Sequence, residues 1–203
     1  MTCEGASELA YLQRLRHFLD TQTRGLLPLA LTPRVAGSGL FDALRKTHRE
    51  AQADNTNYYY RFEIWADYDL YFRDESKCMT LYRERRAQPS AFPKMRFSYH
   101  NFEDFLMLHY PKNKLKQWTD IFGQTPHFAT PLHHKEYLPR FQEIFPDYKK
   151  GHLPPDFISW KSLRRLKANL AARTIPLPDD ADCGDFAAFL IGELERAYPG
   201  RLT

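Results

Sequence analysis

The chain has 203 residues, 43 % of them hydrophobic and 15 % aromatic, and carries a net charge of +4. That length suits one domain, or one domain with a substantial appendage, and the apolar content excludes wholesale disorder. The mild basic excess is compatible with a phosphate-bearing partner without requiring one.

Met1-Thr2-Cys3 is a very short apolar opening, followed at once by Glu4 and Gly5. From Ser7 to about Asp20 the residues Leu9, Leu12, Leu15, Phe18 and Leu19 recur at helical spacing, with Gln13, Arg14 and Arg16 off the stripe. The run GLLPLALTPRV is broken by Pro28 and Pro33 and suits an irregular or edge strand. Gly37-Ser38-Gly39 is a turn, and Leu40, Phe41, Leu44 and Ala51 begin a second helical stripe that runs to about residue 53. Tyr58 to Ala66 (YYYRFEIWA) is the strongest strand signal, aromatic and β-prone over its whole length, and it runs into Asp67-Tyr68-Asp69. A helix fits Asp74 to Arg86, and KMRFSY reads as a further short strand.

Strands alternating with helices in this way predict a mostly parallel sheet with helices on its faces. Beyond about residue 100 the texture changes. Asn101 to His109 is a short apolar helix, the stretch to about 157 is rich in proline and histidine, and Ser159 to Arg173 and Asp185 to Tyr198 are helices. The expected organisation is an α/β domain over 1–100 and a helical, loop-rich extension over 101–203 packed on it.

Cys3, Cys78 and Cys183 are isolated and free of CxxC spacing, which argues against a disulfide framework or a cysteine zinc site and for a reducing compartment. The most apolar runs, FEDFLMLHY and FAAFLIGEL, fall well short of the roughly 20 residues of a membrane span and carry charges. No basic segment leading into an apolar run opens the chain, so no secretory leader is expected. These features predict a cytoplasmic protein with no membrane partner.

In a parallel α/β sheet, chemistry gathers at the carboxyl ends of the strands. Glu4 follows the first strand and Asp67 and Asp69 follow the third. In an extended chain, residues i and i+2 face one side, so Asp67 and Asp69 can aim at one point. Hard cations such as Mg²⁺ take one or two carboxylates completed by water and substrate phosphate. A third carboxylate from a neighbouring strand makes a site able to activate water and hold a phosphodiester. A lone DxD is common on solvated loops, and only its joint placement with Glu4-Gly5 gives it weight.

CEGASE, then a helix, then a hydrophobic strand ending in ADYD resembles the Toprim domain of topoisomerases, primases and related nucleases. Within that superfamily the chain is most similar to the RloB-like group, related to the Toprim nucleases of OLD-type phage-defence systems. Glu4, Gly5 and Glu8 match its glutamate-glycine start with a second glutamate. Ser98 followed by Phe102-Glu103 and FLMLHY, ending at His109, matches a later motif, and Tyr148-Lys149 a tyrosine-lysine pair. The resemblance runs from Cys3 to about residue 170, as spaced short motifs. It departs from the family in the length of the strand before Glu4, which is only Met1 to Cys3 unless the true start lies upstream. It departs also in Ser7 where threonine is usual, a residue still able to cap the helix, and in a bare Asp-Tyr-Asp.

The resemblance implies Glu4, Asp67 and Asp69 as a Mg²⁺- or Mn²⁺-dependent catalytic centre. Glu8 and Glu103 would be further ligands or supporting groups, with Gly5 and Lys149 also at the site. It implies a nuclease of bacterial anti-phage defence (abortive infection) acting on DNA or RNA. A separate ATPase subunit is the expected partner, since the chain contains no GxxxxGK[ST].

Each signal also has a plainer reading. Glu8 equally well complements the dipole of the first helix. Gly37-Ser38-Gly39 is more often a turn than a phosphate cradle. His100, His109 and His133-His134 lack the hairpin or ligand spacing of a metal site and read as core or surface residues. Glu103 on an apolar helix is expected to be buried and to need a partner. The stripe Trp160, Leu163, Leu166 and Leu170 faces inward, leaving Lys161, Arg164, Arg165 and Lys167 mostly off it. With Lys112, Lys114, Lys116, Lys149 and Lys150, they form either a solvated face or a nucleic-acid backbone contact, for which Lys161, Arg164 and Arg165 are the candidates. Two other functions stand beside the nuclease: a non-cleaving nucleic-acid or phage-protein binding module, and a small RNA-processing ribonuclease.

Overall fold

A computed structural model describes residues 1–3, 5–23, 33–35, 46, 49, 63–68, 94–98, 101–123, 134–172 and 183–203. Strand β1 (Thr2–Cys3) leads to helix α1 (Ala6–Thr23), followed by β2 (Arg34–Val35), β3 (Glu63–Asp67) and β4 (Lys94–Ser98). Helices α2 (Phe102–Met107), α3 (Lys112–Gly123), α4 (His134–Ile144) and α5 (Trp160–Ala171) come next, then β5 (Cys183–Asp185) and α6 (Phe186–Ala197). The strands form one sheet in the order β2-β1-β3-β4-β5, and every neighbouring pair is parallel. The fold is therefore α/β, with helices flanking an all-parallel sheet among the described residues.

Strand β1 has only two residues, yet it has a neighbour on each side. Thr2 and Cys3 align with Arg34 and Val35 of β2 and with Ile64 and Trp65 of β3. Both are buried, Cys3 completely, as a central strand requires if its amides are to be paired. Strand β3 reads Glu-Ile-Trp-Ala-Asp, and its first four residues are buried, the near-continuous burial typical of parallel strands covered on both faces. Residues 58–62 of the expected strand lie outside the described residues. So do the GLLPLALT run, the expected helix at 74–86, and the one at 40–53 except for Lys46 and Arg49, which are helical.

Helix α1 buries Tyr11, Leu12, Leu15 and Leu19 against the sheet, with Leu9 and Phe18 half-buried at the edges of the stripe. Trp65 sits at the centre of the core. Its ring stacks on Phe186 at 3.6 Å and meets Tyr11 and Phe105 edge-on at 5.6 and 5.2 Å. Its indole N–H donates to Ser98 Oγ at 2.8 Å. One hydrophobic cluster thus holds Cys3, Leu15 and Trp65 together with Phe105, Phe141, Leu166 and Leu194.

The extension is not purely helical. Residues 183–185 add a fifth parallel strand to the same sheet, with Met95 aligned to Cys183 and Phe97 to Asp185. The change of texture near residue 100 marks a change of composition rather than a break in the core. The proline-rich stretch also contains α3 and α4, the latter with Pro139 inside it. The helix starts follow their capping residues. The Asn101 side chain accepts from the Asp104 N–H, and the Asp185 side chain from that of Ala188. Ser159 and Ser162 form a reciprocal capping box. The Asn169 side chain, buried on α5, donates to the carbonyls of Leu108 and Tyr110 at 2.9 and 3.0 Å, fixing the chain just beyond α2.

Glu63 is the charged exception in β3. Arg96 of the adjacent strand donates to it at 2.9 Å, and the same guanidinium lies 4.7 Å from the Phe189 ring. Gly184 leaves room for it, because a Cβ there would come within 2.6 Å of Arg96 Nη1. Removing one member of a buried ion pair costs about 3–5 kcal/mol, whereas replacing both by apolar residues is often neutral. Arg96→Met should therefore lower the unfolding free energy by about 3 kcal/mol, and adding Glu63→Leu should restore most of it. Urea denaturation of the two single variants and the double variant checks this; additive losses would show that the pair is not coupled.

Candidate functional site

The carboxyl ends of β1, β3 and β4 lie side by side in the sheet. Asp67 is the last residue of β3 and aligns with Ser98, the last of β4, while Cys3 aligns with Trp65. Asp67 is half-buried at this edge. Tyr68 after it is already helical and packs on Phe97, with ring centres 5.7 Å apart. The extended alternation that would point Asp67 and Asp69 the same way therefore ends at Asp67. Glu4 and Asp69 themselves lie outside the described residues.

Two further carboxylates are drawn to this region. Glu8, in the first turn of α1, is buried, and a Cβ on Gly5 would come within 2.8 Å of its Oε2. Gly5 does not have positive φ. Its small size matters because Glu8 folds back over it, rather than because the backbone needs a left-handed turn. Glu103 is buried on α2, where it accepts a hydrogen bond from the Tyr148 hydroxyl at 3.3 Å. Burial drives the Tyr148 hydroxyl far above its ordinary pKa, and the charges of Glu103, Glu8 and Asp67 push it further. Three acidic groups from α1, β3 and α2 are thus within electrostatic reach of one phenol.

Glu103 is itself raised above the usual carboxylate value by burial, against the pull of the Lys150 ammonium and the Tyr148 hydrogen bond. Cys3, at the same end of the sheet, is pushed up to about 12 by burial and then by Glu8, so it packs as a neutral thiol. A buried carboxylate favours either a proton or a bound cation. Its oxygens are the donor chemistry that a hard divalent ion takes. Among the described residues alone, no three His, Cys, Asp or Glu side chains are grouped to hold a metal ion.

A tight turn closes over this cluster. His152 N–H donates to the Lys149 carbonyl at 2.9 Å, and Gly151 takes φ +80°, a conformation that side chains disfavour. The Gly151 N–H donates to Ser7 Oγ at 3.1 Å, so the turn is anchored on α1. Ser7 lies inside α1 and does not cap it, as the sequence suggested. The turn carries Lys149 and Lys150, both exposed, and the Lys150 ammonium acts on Glu103. Lys150, Gly151 and the linking role of Tyr148 are absent from the sequence-based list of site residues. The one signal that could have found them is Lys150-Gly151 directly after the Tyr148-Lys149 pair.

Other candidates fall elsewhere. His109 is a core residue, as its plainer reading had it: buried, it shares a 3.1 Å hydrogen bond with the Tyr11 hydroxyl through Nε2. The Ser98 hydroxyl serves the Trp65 indole. On α5, Arg164 donates to the Arg201 carbonyl at 3.2 Å, and Lys167 pairs with Glu195 at 2.7 Å. Arg164 is thus engaged in holding the C-terminal segment, while Lys161 is exposed and Arg165 half-buried on the same helix. Among the described residues no helix is long and apolar enough to cross a membrane. Comparison with protein-family models, curated proteins and solved structures returns no significant match.

Burial lowers His109 from 6.5 to about 3. Below pH 6.5 the unfolded chain takes up a proton on this ring that the folded chain refuses, so stability falls as pH drops from about 6.5 towards about 3. The loss approaches about 1.4 kcal/mol per pH unit for this group. His109→Gln, which can still meet Tyr11, should flatten the slope of unfolding free energy against pH by one proton in that window. An unchanged slope would mean that His109 titrates normally in the fold.

Proposed function

We propose that this protein is a divalent-metal-dependent nuclease that hydrolyses phosphodiester bonds of DNA or RNA in bacterial anti-phage defence. A Toprim domain related to the RloB-like group would supply the chemistry, and a separate ATPase would control it. The observation that carries this reading is Asp67 at the carboxyl end of β3, in a parallel sheet whose strand β1 leads into Gly5 with buried Glu8 folded over it. In sequence, Glu4 directly follows the central strand β1 at that same edge.

In this reading Asp67, with Glu4 and Asp69, holds Mg²⁺ or Mn²⁺, and Glu8, in the first turn of α1, is a further candidate ligand. When bound, the ion polarises the phosphate and lowers the pKa of a water molecule. The chain's own groups do the rest. Glu4 either completes the metal site or takes the proton of the attacking water as general base. Tyr148 holds Glu103 in place through its hydroxyl, and Gly5 leaves the space that Glu8 fills. Lys149 and Lys150, on the turn above, offset phosphate charge as the strand approaches.

Cleavage of single-stranded and double-stranded DNA and RNA and of transfer RNA, each with Mg²⁺ or Mn²⁺, tests the proposal. Asp67→Asn keeps the side-chain shape and removes the charge. Activity should fall by more than the roughly 10–100-fold that loss of a supporting group costs. The thermal midpoint should stay near that of the parent. Cutting at the parental rate by Asp67→Asn would place the chemistry elsewhere. Metal-independent binding with no cleavage of any substrate would favour the non-cleaving binding module.

A further inference from the structure

Tyr148 also lines a groove of about 440 Å³, together with Tyr110, Ile144, Phe145, Leu153 and Pro154. Its size falls in the range of small-ligand sites, about 300–1,000 Å³. The Tyr110 and Phe145 rings lie 4.3 Å apart, and Phe141 braces Tyr148 from behind at 4.6 Å. Asp147 adds a hydrogen-bond acceptor at the exposed end.

The rim carries cations beside the carboxylates of Asp147, which lines the groove, and Asp156, whose charge acts on the Tyr110 hydroxyl. Lys114 Nζ lies 5.7 Å from the Phe145 ring centre, and Arg14 donates to the Leu153 carbonyl at 3.4 Å. Lys149 and Lys150 follow Tyr148 directly and are exposed. Flat aromatic walls suit the π-face of a base, an acidic acceptor suits an exocyclic amine, and nearby cations suit the phosphate attached to it. A purely apolar ligand would gain nothing from those cations.

We infer that this groove takes one nucleobase of the bound strand, stacked on the aromatic wall, with its phosphate held by Lys114 and the Lys149-Lys150 turn. The inference rests on the nuclease reading only in taking the carboxylates as the reacting centre. Tyr148 then joins the two sites: its ring is a wall of the groove and its hydroxyl reaches Glu103. A base seated there fixes the register of the strand, so that a neighbouring phosphodiester meets the carboxylates.

The test uses the full metal-free chain titrated with AMP, CMP, GMP and UMP, their nucleosides, the deoxy forms and ribose 5-phosphate, followed by saturation-transfer NMR. Mononucleotides should bind, nucleosides should bind more weakly at the same place, and ribose 5-phosphate should not compete. Leu153→Trp plugs the groove and should weaken nucleotide binding by about tenfold or more, the order of one lost base stack. Pro154→Trp, on the exposed lip, is a second plug should the first disturb folding. Lys114→Glu should weaken nucleotides and leave nucleosides unchanged.

The inference is overturned if no mononucleotide binds at millimolar concentration. It is equally overturned if ribose 5-phosphate competes as well as AMP, or if a folded plug variant binds like the parent. Asp67→Asn should keep mononucleotide binding intact. Cleavage that survives Asp67→Asn while the plugs still abolish nucleotide binding would sink the metal-centre reading and leave the groove standing. Cleavage lost in Asp67→Asn with no nucleotide bound by the parent would do the reverse.

Discussion

A strand of two residues makes too few ladder hydrogen bonds to hold its own place, and Thr2–Cys3 depends on the packing around Trp65. That residue aligns with Cys3 through the backbone, stacks on Phe186 of α6, meets Tyr11 of α1 and Phe105 of α2 edge-on, and bonds to Ser98 of β4. A buried aromatic of this size contributes more to the core than any single contact of the sheet edge. The first strand, the first helix and the last helix are therefore positioned by one side chain. Residues 183–203 belong to the same core as the opening of the chain, and the carboxyl edge of the sheet inherits that rigidity.

Against this rigid background, the unusual feature is where charge is buried. Glu63 is buried beside a guanidinium, a direct solution to the cost of desolvation. Glu8 and Glu103 are treated differently. Each is buried at the carboxyl end of the sheet, and Glu103 accepts from Tyr148, whose hydroxyl is held protonated by burial and by nearby acidic charge. Lys150 is the nearest compensation recorded for Glu103, and it stands on an exposed turn. Burying a carboxylate at the end of a parallel sheet is costly, and such a local cost within otherwise consistent packing is expected where a site has been built.

The parts of the fold legible in the sequence are those with a clear period or a capping residue. The stripe Leu12, Leu15 and Leu19 gave α1, Ser159 gave the start of α5, and the aromatic-rich run into Asp67 gave β3. Strand β5 was not legible, because Cys-Gly-Asp has no alternation and is a strand only by virtue of its place beside β4. Helices α3 and α4 were hidden by neighbouring prolines, though Pro139 is accommodated within α4. At the site, Glu8 and Glu103 could be named but not joined, since the residue that joins them is 45 positions beyond Glu103. The grouping of Asp67 with Asp69 assumed an extended chain through Tyr68; β3 ends at Asp67, and Asp69 lies outside the described residues.

This geometry also changes where an anionic strand would be met. The basic face of α5 gives Arg164 and Lys167 to the C-terminal segment and to Glu195, interactions that a nucleic-acid backbone would have to displace. The turn over residues 149–152 carries its two lysines exposed, is fixed by the left-handed Gly151, and is bonded to Ser7 one residue before Glu8. Positive charge there acts at short range on the carboxylates, whereas charge on the exposed surface farther off is screened within about 8–10 Å by salt. A strand drawn by the turn would arrive beside Tyr148, whose ring lines the aromatic groove and whose hydroxyl reaches Glu103.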